Sequence, residues 1–481
     1  MENLKAFCSQ HYRVLVKTLV FAITILVLAA NWPGIDHLPY DASYYWATAP
    51  SYRLSEFPKT FRGCLYPIYM FVIRDIALKT SIGPEAIFLL LNALASTLFT
   101  TEVLPSIVLG KAGGGGNGIG VLSRKRYCLG ALAINVVWLF FWIDYLVLSL
   151  SDFPALFLCG VFAYCLLMLE EPGGSDARGK VRTALIAFSA GLCAYGAYNV
   201  RAVYGYGIIA TIAIFIWRNR RKDYKLLVAI ALIMGVALAA IPQVEVNRIN
   251  DNTYLPLVPT WNYSSADLKN VQLSMGLRLD RYETYVGTDP TQKPNMCFED
   301  SAGIELSQRE GLTGGVSLGE LALLTAKYPL DIVSIYGKHL VNYLTVLWNH
   351  CYIYDIRVNT FGIVVANMLL WIVSILAVVS ATGGQASAWL KERCWIQQPF
   401  ILVCLFMIPG APEVRFFISL YTLMYGFLAY GLDVDWFRGC VRAHPARYLI
   451  AALVLLCVWA TVVGGTLASN GDGVVLFNNL P

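Results

Sequence analysis

The block Arg218-Asn219-Arg220-Arg221-Lys222 stands between two apolar runs, 204–217 and 226–242. A cationic turn between two runs approaching membrane-helix length reads as a hairpin of two spans. The turn belongs on the cytoplasmic side, because Lys and Arg in short loops are retained there. The same pattern recurs outward in both directions. Apolar runs occupy 14–32, 86–110, 128–150, 153–170, 183–199, 204–217, 226–242, 358–382, 395–410, 416–432 and 448–468. With the N-terminus inside, the inner segments hold twenty Lys and Arg and the short outer turns hold two.

Composition agrees. Of 481 residues 57% are apolar and 14% charged, with a mean hydropathy of +0.58. A soluble domain carries about a quarter charged residues. Disordered, collagen-like and coiled-coil chains need low apolar content or a repeat. The net charge of +5 resides in the inner loops and gives no case for nucleic-acid binding. The basic start, the run to Ala30 and Asn31-Trp32-Pro33 without a small-x-small site read as an uncleaved signal anchor.

The expectation is therefore an all-α polytopic membrane protein, one transmembrane domain over 1–481 with about eleven transmembrane helices. Residues 33–85 form a first extracytoplasmic loop, in which 64–79, with Arg74 and Asp75, suits an interfacial helix. Residues 243–357 form a large extracytoplasmic loop that ends in a helix at the membrane surface, announced by the capping-box spacing Ser317-Leu318-Gly319-Glu320. Most of the twelve cysteines lie in apolar runs. Only Cys64, Cys297 and Cys351 fall in the expected extracytoplasmic segments, which leaves one disulfide open but no disulfide framework. No internal duplication is visible, which counts against transporter folds built from repeated halves.

The ionisable residues collect at one level. Asp41 follows the first run within Tyr40-Asp41-Ala42-Ser43-Tyr44-Tyr45-Trp46. Asp152 lies in Ser151-Asp152-Phe153-Pro154, Arg201 in Asn199-Val200-Arg201-Ala202, and Glu413 and Arg415 in Pro412-Glu413-Val414-Arg415-Phe416-Phe417. Singly, such residues are helix caps, solvated turn acids or snorkelling arginines. Together they occupy nearly every outer turn. Asp144, two turns inside the third run, needs a partner or a wet cavity. Glu102, in the second run, raises the same question and has no role in this reading.

Three patterns carry no function. Gly113 to Gly118 fits G-x-G-x-x-G but follows no strand. Asp433-Val434-Asp435 lies on the cytoplasmic side and reads as a helix-end charge pair. Asn262-Tyr263-Ser264 is a glycosylation sequon with meaning only in a eukaryotic secretory route.

On these residues the chain resembles the GT-C superfamily of integral membrane glycosyltransferases that use polyprenyl-phosphate-linked sugars. The resemblance covers most of the chain. It rests on the Asp41 loop, on Phe61-Arg62-Gly63-Cys64-Leu65-Tyr66-Pro67, and on the Asp152 and Arg201 turns. It continues through Lys327-Tyr328-Pro329-Leu330-Asp331 to Tyr336-Gly337-Lys338-His339, and closes at Glu413-Val414-Arg415-Phe416-Phe417. It implies a cavity at the outer membrane surface, Asp41 as catalytic base and Asp152 as an assisting acid for acceptor or metal. The first loop lacks the paired Asp-Glu of protein O-mannosyltransferases, which favours a cell-envelope glycan or glycolipid acceptor over a protein.

The expected chemistry follows. A carboxylate takes the proton of an attacking acceptor hydroxyl, and Asp41 fills that role. The departing polyprenyl phosphate needs cations: Arg201 and Arg415 first, Lys338 and His339 second. Tyr44, Tyr45 and Trp46 are candidates to stack on a sugar, and Glu413 to bind the acceptor. No metal site is demanded and no cofactor is required, although Asp41, Asp152 and Glu413 could share a divalent ion. The partners are the lipid-linked sugar, the acceptor and the bilayer. Two rivals are a lipid-linked sugar flippase, which would place charges at the midplane, and a polysaccharide polymerase or ligase with a lipid-diphosphate donor. Arg248, Arg278, Arg281 and Arg309 in the large loop are the feature that suits the latter.

Overall fold

The computed structural model describes residues 2–48, 54, 63–110, 123–170, 176–220, 224–259, 267–286, 295–355, 360–381 and 385–471. Among them seven helices are long and apolar enough to cross a membrane: His11–Ala30, Pro84–Leu109, Asp152–Glu170, Ala177–Val200, Lys225–Asp251, Phe361–Ser380 and Pro445–Ala468. An eighth results if Val414–Gly431 and Val434–Ala443, bent by 93°, count as one span. Tyr204–Arg218 and Cys394–Met407 are apolar but shorter. Ile230, Ile233, Leu238 and Ile241 of one long helix, and Leu449, Ile450, Leu453 and Val454 of another, point outward. Apolar sides left bare in this way suit lipid. The chain has the architecture of a multi-pass helical membrane protein.

The apolar run 128–150 does not form one continuous helix. Arg124–Trp142 ends at Ile143, a separate turn Asp144–Val147 follows, and Leu148 is extended. The side chain of Asn92 donates to the carbonyl of Leu146 at 2.8 Å and so satisfies part of the break. Asp144 thus sits at a helix break rather than two turns inside a span.

Small residues set the tightest crossing. A Cβ on Gly191 would lie 2.1 Å from the Leu232 carbonyl oxygen, and one on Gly235 would lie 2.1 Å from that of Phe188. Ala177–Val200 and Lys225–Asp251 therefore touch backbone to backbone, as small residues permit in membranes. Above this crossing Asn199 donates to Gln243 Oε1 at 2.8 Å. The same two side chains accept the backbone N–H groups of Leu65 at 2.9 Å and Cys64 at 3.0 Å. They dock the start of Leu65–Thr80, which is the helix expected over 64–79.

The polar stretch after residue 250 is not purely helical. Lys225–Asp251 runs on beyond 242. Helices Leu268–Arg278, Ser301–Arg309, Leu318–Lys327 and Pro329–Tyr343 surround a small sheet. Its strands are β1 (Leu279–Tyr285), β2 (Asn295–Glu299), β3 (Tyr352–Ile353) and β4 (Asn470–Gly471), in the order β3-β1-β2-β4. β1 is rich in strand-favouring Tyr and Thr. β2 follows β1 closely and pairs with it antiparallel, but the outer strands β3 and β4 come from sequence far away, and no local pattern announces their pairing. Ser317 and Glu320 form the expected capping box, with Ser317 N–H donating to Glu320 Oε2 at 2.7 Å. Cys64, Cys297 and Cys351 are free thiols in separate parts of the core. Phe61, Arg62, the glycine run 113–118, the sequon 262–264 and Arg221-Lys222 lie outside the described residues.

Candidate active site at the helix ends

Five ionisable side chains from four separate segments meet at one end of the bundle. Asp41 opens the helix Tyr40–Thr48. That helix is pinned onto the extended residues before Asp152. Ser149 Oγ donates to the Ala42 carbonyl at 2.6 Å, and Tyr45 Oη lies 3.1 Å from Ser151 Oγ. The acid of the first loop is thereby fixed relative to the acid of the next turn.

Asp152 is the first residue of Asp152–Glu170, where the partial positive charge of a helix N-terminus favours a carboxylate. It is 3% exposed and forms an ion pair with Arg201 Nη1. Arg201 follows the C-terminus of Ala177–Val200, and its N–H still donates to the Ala197 carbonyl at 2.9 Å. Arg415 lies in the 3₁₀ turn Val414–Phe417. Its Nε pairs with Glu413, and its Nη1 stands 3.6 Å from Asp41 Oδ2. Burial holds the Glu413 carboxyl above its usual value, against the pull of Arg415. Phe416 joins the two halves: the guanidinium carbons of Arg201 and Arg415 sit 5.4 and 5.5 Å from its ring centroid.

Other candidates stand elsewhere. Tyr45 and Trp46 are buried and spend their rings on packing. Tyr45 meets Tyr66 at 4.9 Å, and Trp46 meets Phe88 at 6.0 Å. Of Tyr44, Tyr45 and Trp46 only Tyr44 stays half-exposed. Lys338 is occupied by two acids, at 3.0 Å from Asp280 and in direct contact with Asp300. His339 is fully buried, with Nδ1 2.9 Å from the Ile408 carbonyl oxygen and Nε2 2.7 Å from that of Leu279. Both residues tie the layer around the sheet together. Asp144 accepts from the Cys351 N–H at 2.9 Å and lies 3.0 Å from His350 Nδ1. Glu102 is answered by Lys17 at 2.6 Å, and Asp433 caps a helix by accepting from the Trp436 N–H at 3.0 Å. Arg248, Arg278, Arg281 and Arg309 all have partners inside the chain: Glu245, the Leu312 carbonyl, Glu283 and Glu305.

Asp41, Asp152 and Glu413 each face a guanidinium. Among the described residues no group of three or more His, Cys, Asp or Glu is arranged to hold a metal ion. The role of Phe416 was not expected from sequence, although its place next to Arg415 is a signal that could have shown it.

The Lys338 cluster carries its own prediction. Burial first, and the Asp300 charge second, push Asp280 up to about 6. The folded chain then holds a proton there that the unfolded chain has already released. The stabilisation is complete below the unfolded value and is lost as pH rises from about 4 to 6. Its size is on the order of 1–3 kcal/mol. Asp280→Asn should flatten the pH dependence of the thermal unfolding midpoint in detergent over that window. An unchanged slope would assign it to other groups.

No protein-family model matches the chain, no curated protein matches it, and no solved structure matches it.

Proposed function

We propose that the chain is a GT-C-like glycosyltransferase. It moves a sugar from a polyprenyl-phosphate donor to a cell-envelope glycan or glycolipid on the extracytoplasmic face. The observation that carries this reading is the shared cluster of Asp41, Arg415, Glu413, Arg201 and Asp152 around Phe416. The excess of Lys and Arg in the opposite loops supports an extracytoplasmic location for that end and an eleven-span reading of the apolar runs. Under that reading the shorter helices Tyr204–Arg218 and Cys394–Met407 cross as members of the bundle.

The reaction needs few parts. The acceptor oxygen attacks the anomeric carbon while Asp41 takes its proton. The bond from that carbon to the phosphate oxygen breaks, and polyprenyl phosphate leaves with the electron pair. Arg415, beside both Asp41 and Glu413, is placed to meet the charge that builds on phosphate. Arg201 supplies a second cation across Phe416. Of the three acids Asp41 is the most exposed, at 29% against 10% for Glu413 and 3% for Asp152, and so the most open to an acceptor. The activated sugar arrives on its lipid, so no nucleotide site is required.

The test is transfer by the purified chain from an undecaprenyl-phosphoryl hexose and from the matching diphosphate donor. Turnover is expected from the monophosphate alone. Arg415→Ala should raise the donor KM about tenfold or more, with less effect on the acceptor KM. Preference for the diphosphate donor would transfer the protein to the polymerase class. Vectorial movement of the lipid-linked sugar without a new glycosidic bond would make it a flippase.

A further inference from the structure

Val414–Gly431 carries Arg415 in its first turn and runs for eighteen residues. That is about 27 Å, close to a hydrocarbon core of about 30 Å. Its far end therefore lies at the membrane surface opposite the candidate active site. There the chain bends by 93° into Val434–Ala443, and the apolar helix Pro445–Ala468 follows directly. A ten-residue helix set across the end of one span and joined to the next runs along the surface rather than through the bilayer.

The sequence of this helix separates two kinds of residue. At about 3.6 residues per turn, Val434, Trp436, Phe437, Cys440 and Val441 share one side, and Asp435, Arg438 and Arg442 the other. The bundle covers the apolar side only in part. Phe437 meets the Tyr448 ring at 6.0 Å, but none of the ten residues is buried. Val434 is 56% exposed and Trp436 42%. A helix made to pack on its neighbours would bury these two, and one made for water would not carry them. An apolar side with Trp and Phe, backed by Arg, is the pattern of a helix lying at the headgroup boundary.

The charge around it has one sign in excess. Arg126 donates to the Leu432 carbonyl and brings the first turn of Arg124–Trp142 against the start of this helix. Arg124, Lys125, Arg126, Arg438, Arg442 and Arg447 then stand against Asp433 and Asp435. Both acids are engaged. Asp433 accepts from the Trp436 N–H at 3.0 Å, and Asp435 lies 3.6 Å from Arg438 in a loose, exposed pair. Arg438 and Arg442 are exposed and one turn apart, so both can reach the same phosphate. An excess of cations at headgroup level favours acidic lipid over zwitterionic lipid.

We propose that Val434–Ala443 is an interfacial helix that gathers acidic phospholipids. Val434 and Trp436 lie among the acyl chains, and Arg438 and Arg442 hold the headgroups, with Arg124 and Lys125 extending the same surface. By the distribution of Lys and Arg among the loops, the leaflet is the cytoplasmic one. The inference makes no use of the glycosyltransferase reading and stands or falls apart from it.

Fluorescence quenching of the full chain in vesicles tests this. The vesicles are phosphatidylcholine with one fifth phosphatidylglycerol, and bromine is placed on the acyl chains of either the phosphatidylglycerol or an equal amount of the phosphatidylcholine. The chain has twelve tryptophans, so the Trp436 signal is the difference between the parent and Trp436→Phe. Brominated phosphatidylglycerol should quench that signal about two- to threefold more than brominated phosphatidylcholine. Arg438→Gln with Arg442→Gln should abolish the excess and leave quenching by brominated phosphatidylcholine in place. Arg438→Lys with Arg442→Lys should keep the excess. Both side chains are exposed, so the variants should melt like the parent. A Trp436 signal quenched by neither lipid would overturn the interfacial helix and leave its face to a soluble partner. Equal quenching by both lipids in the parent, or an excess that survives in the glutamine variant, would overturn the acidic-lipid assignment.

Discussion

Asp41→Asn is expected to lower sugar transfer by about 10²–10⁴-fold and to leave the protein folded. The two halves of that expectation rest on different contacts. The Asp41 side chain is 29% exposed and reaches Arg415 only at 3.6 Å. A half-solvated pair of that length contributes about 0–1 kcal/mol to stability. The helix that carries it is held by Ser149 on the Ala42 carbonyl and by Tyr45 on Ser151, neither of which the substitution touches. Arg415 keeps Glu413 as its partner. The variant should therefore purify and melt like the parent and still bind undecaprenyl phosphate. What it loses is a basic oxygen, since an amide cannot take the proton of an attacking hydroxyl. Transfer near the parent rate would remove Asp41 as the base. Loss of both transfer and lipid binding would point to a collapsed pocket instead.

The sequence carried this site further than it carried the fold. Asp41, Asp152, Arg201 and Arg415 lie in turns between apolar runs, and alternation of sides places all such turns at one level. That alternation gives a common level only; which of them meet is set by packing, which brings Arg201 onto Asp152 and Arg415 beside Asp41 and Glu413. The interior of the segments was harder to read. The run 128–150 reads as one span with Asp144 inside it, yet the helix stops at Ile143, because the chain must become extended over Leu148 to lay Ser149 and Ser151 against the first-loop helix. Lys338 and His339 look like free cations in sequence. Their acids and carbonyls arrive from Asp280, Asp300, Leu279 and Ile408, contacts that only the packed layer creates. Tyr45 and Trp46 fail as sugar contacts for a related reason. A helix of nine residues has a face turned inward, and Tyr66 and Phe88 fill it.

The pair Arg201–Asp152 should behave in the opposite way to Asp41–Arg415. Asp152 is 3% exposed and Arg201 17%, and they are in direct contact. Arg201→Ala would leave a carboxylate buried with its main partner gone, and breaking such a pair costs about 3–5 kcal/mol. The helix N-terminus at Asp152 recovers only part of that, about 0.3–1 kcal/mol. A large fall in the thermal unfolding midpoint in detergent is therefore expected, along with loss of transfer. Asp152→Leu together with Arg201→Met removes both charges and should regain most of the stability, because a buried pair replaced by apolar groups of similar size is often neutral. The double variant then separates two roles that the single ones confound. Recovered stability without recovered donor binding would assign Arg201 to the phosphate, with Asp152 as the acid that makes its burial tolerable. Recovery of both would show the pair to be a strut and would leave the phosphate to Arg415 alone. A single Arg201→Ala variant as stable as the parent would mean that Asp152 is wetter than its 3% exposure implies, and the pocket more open than the packing around Phe416 suggests.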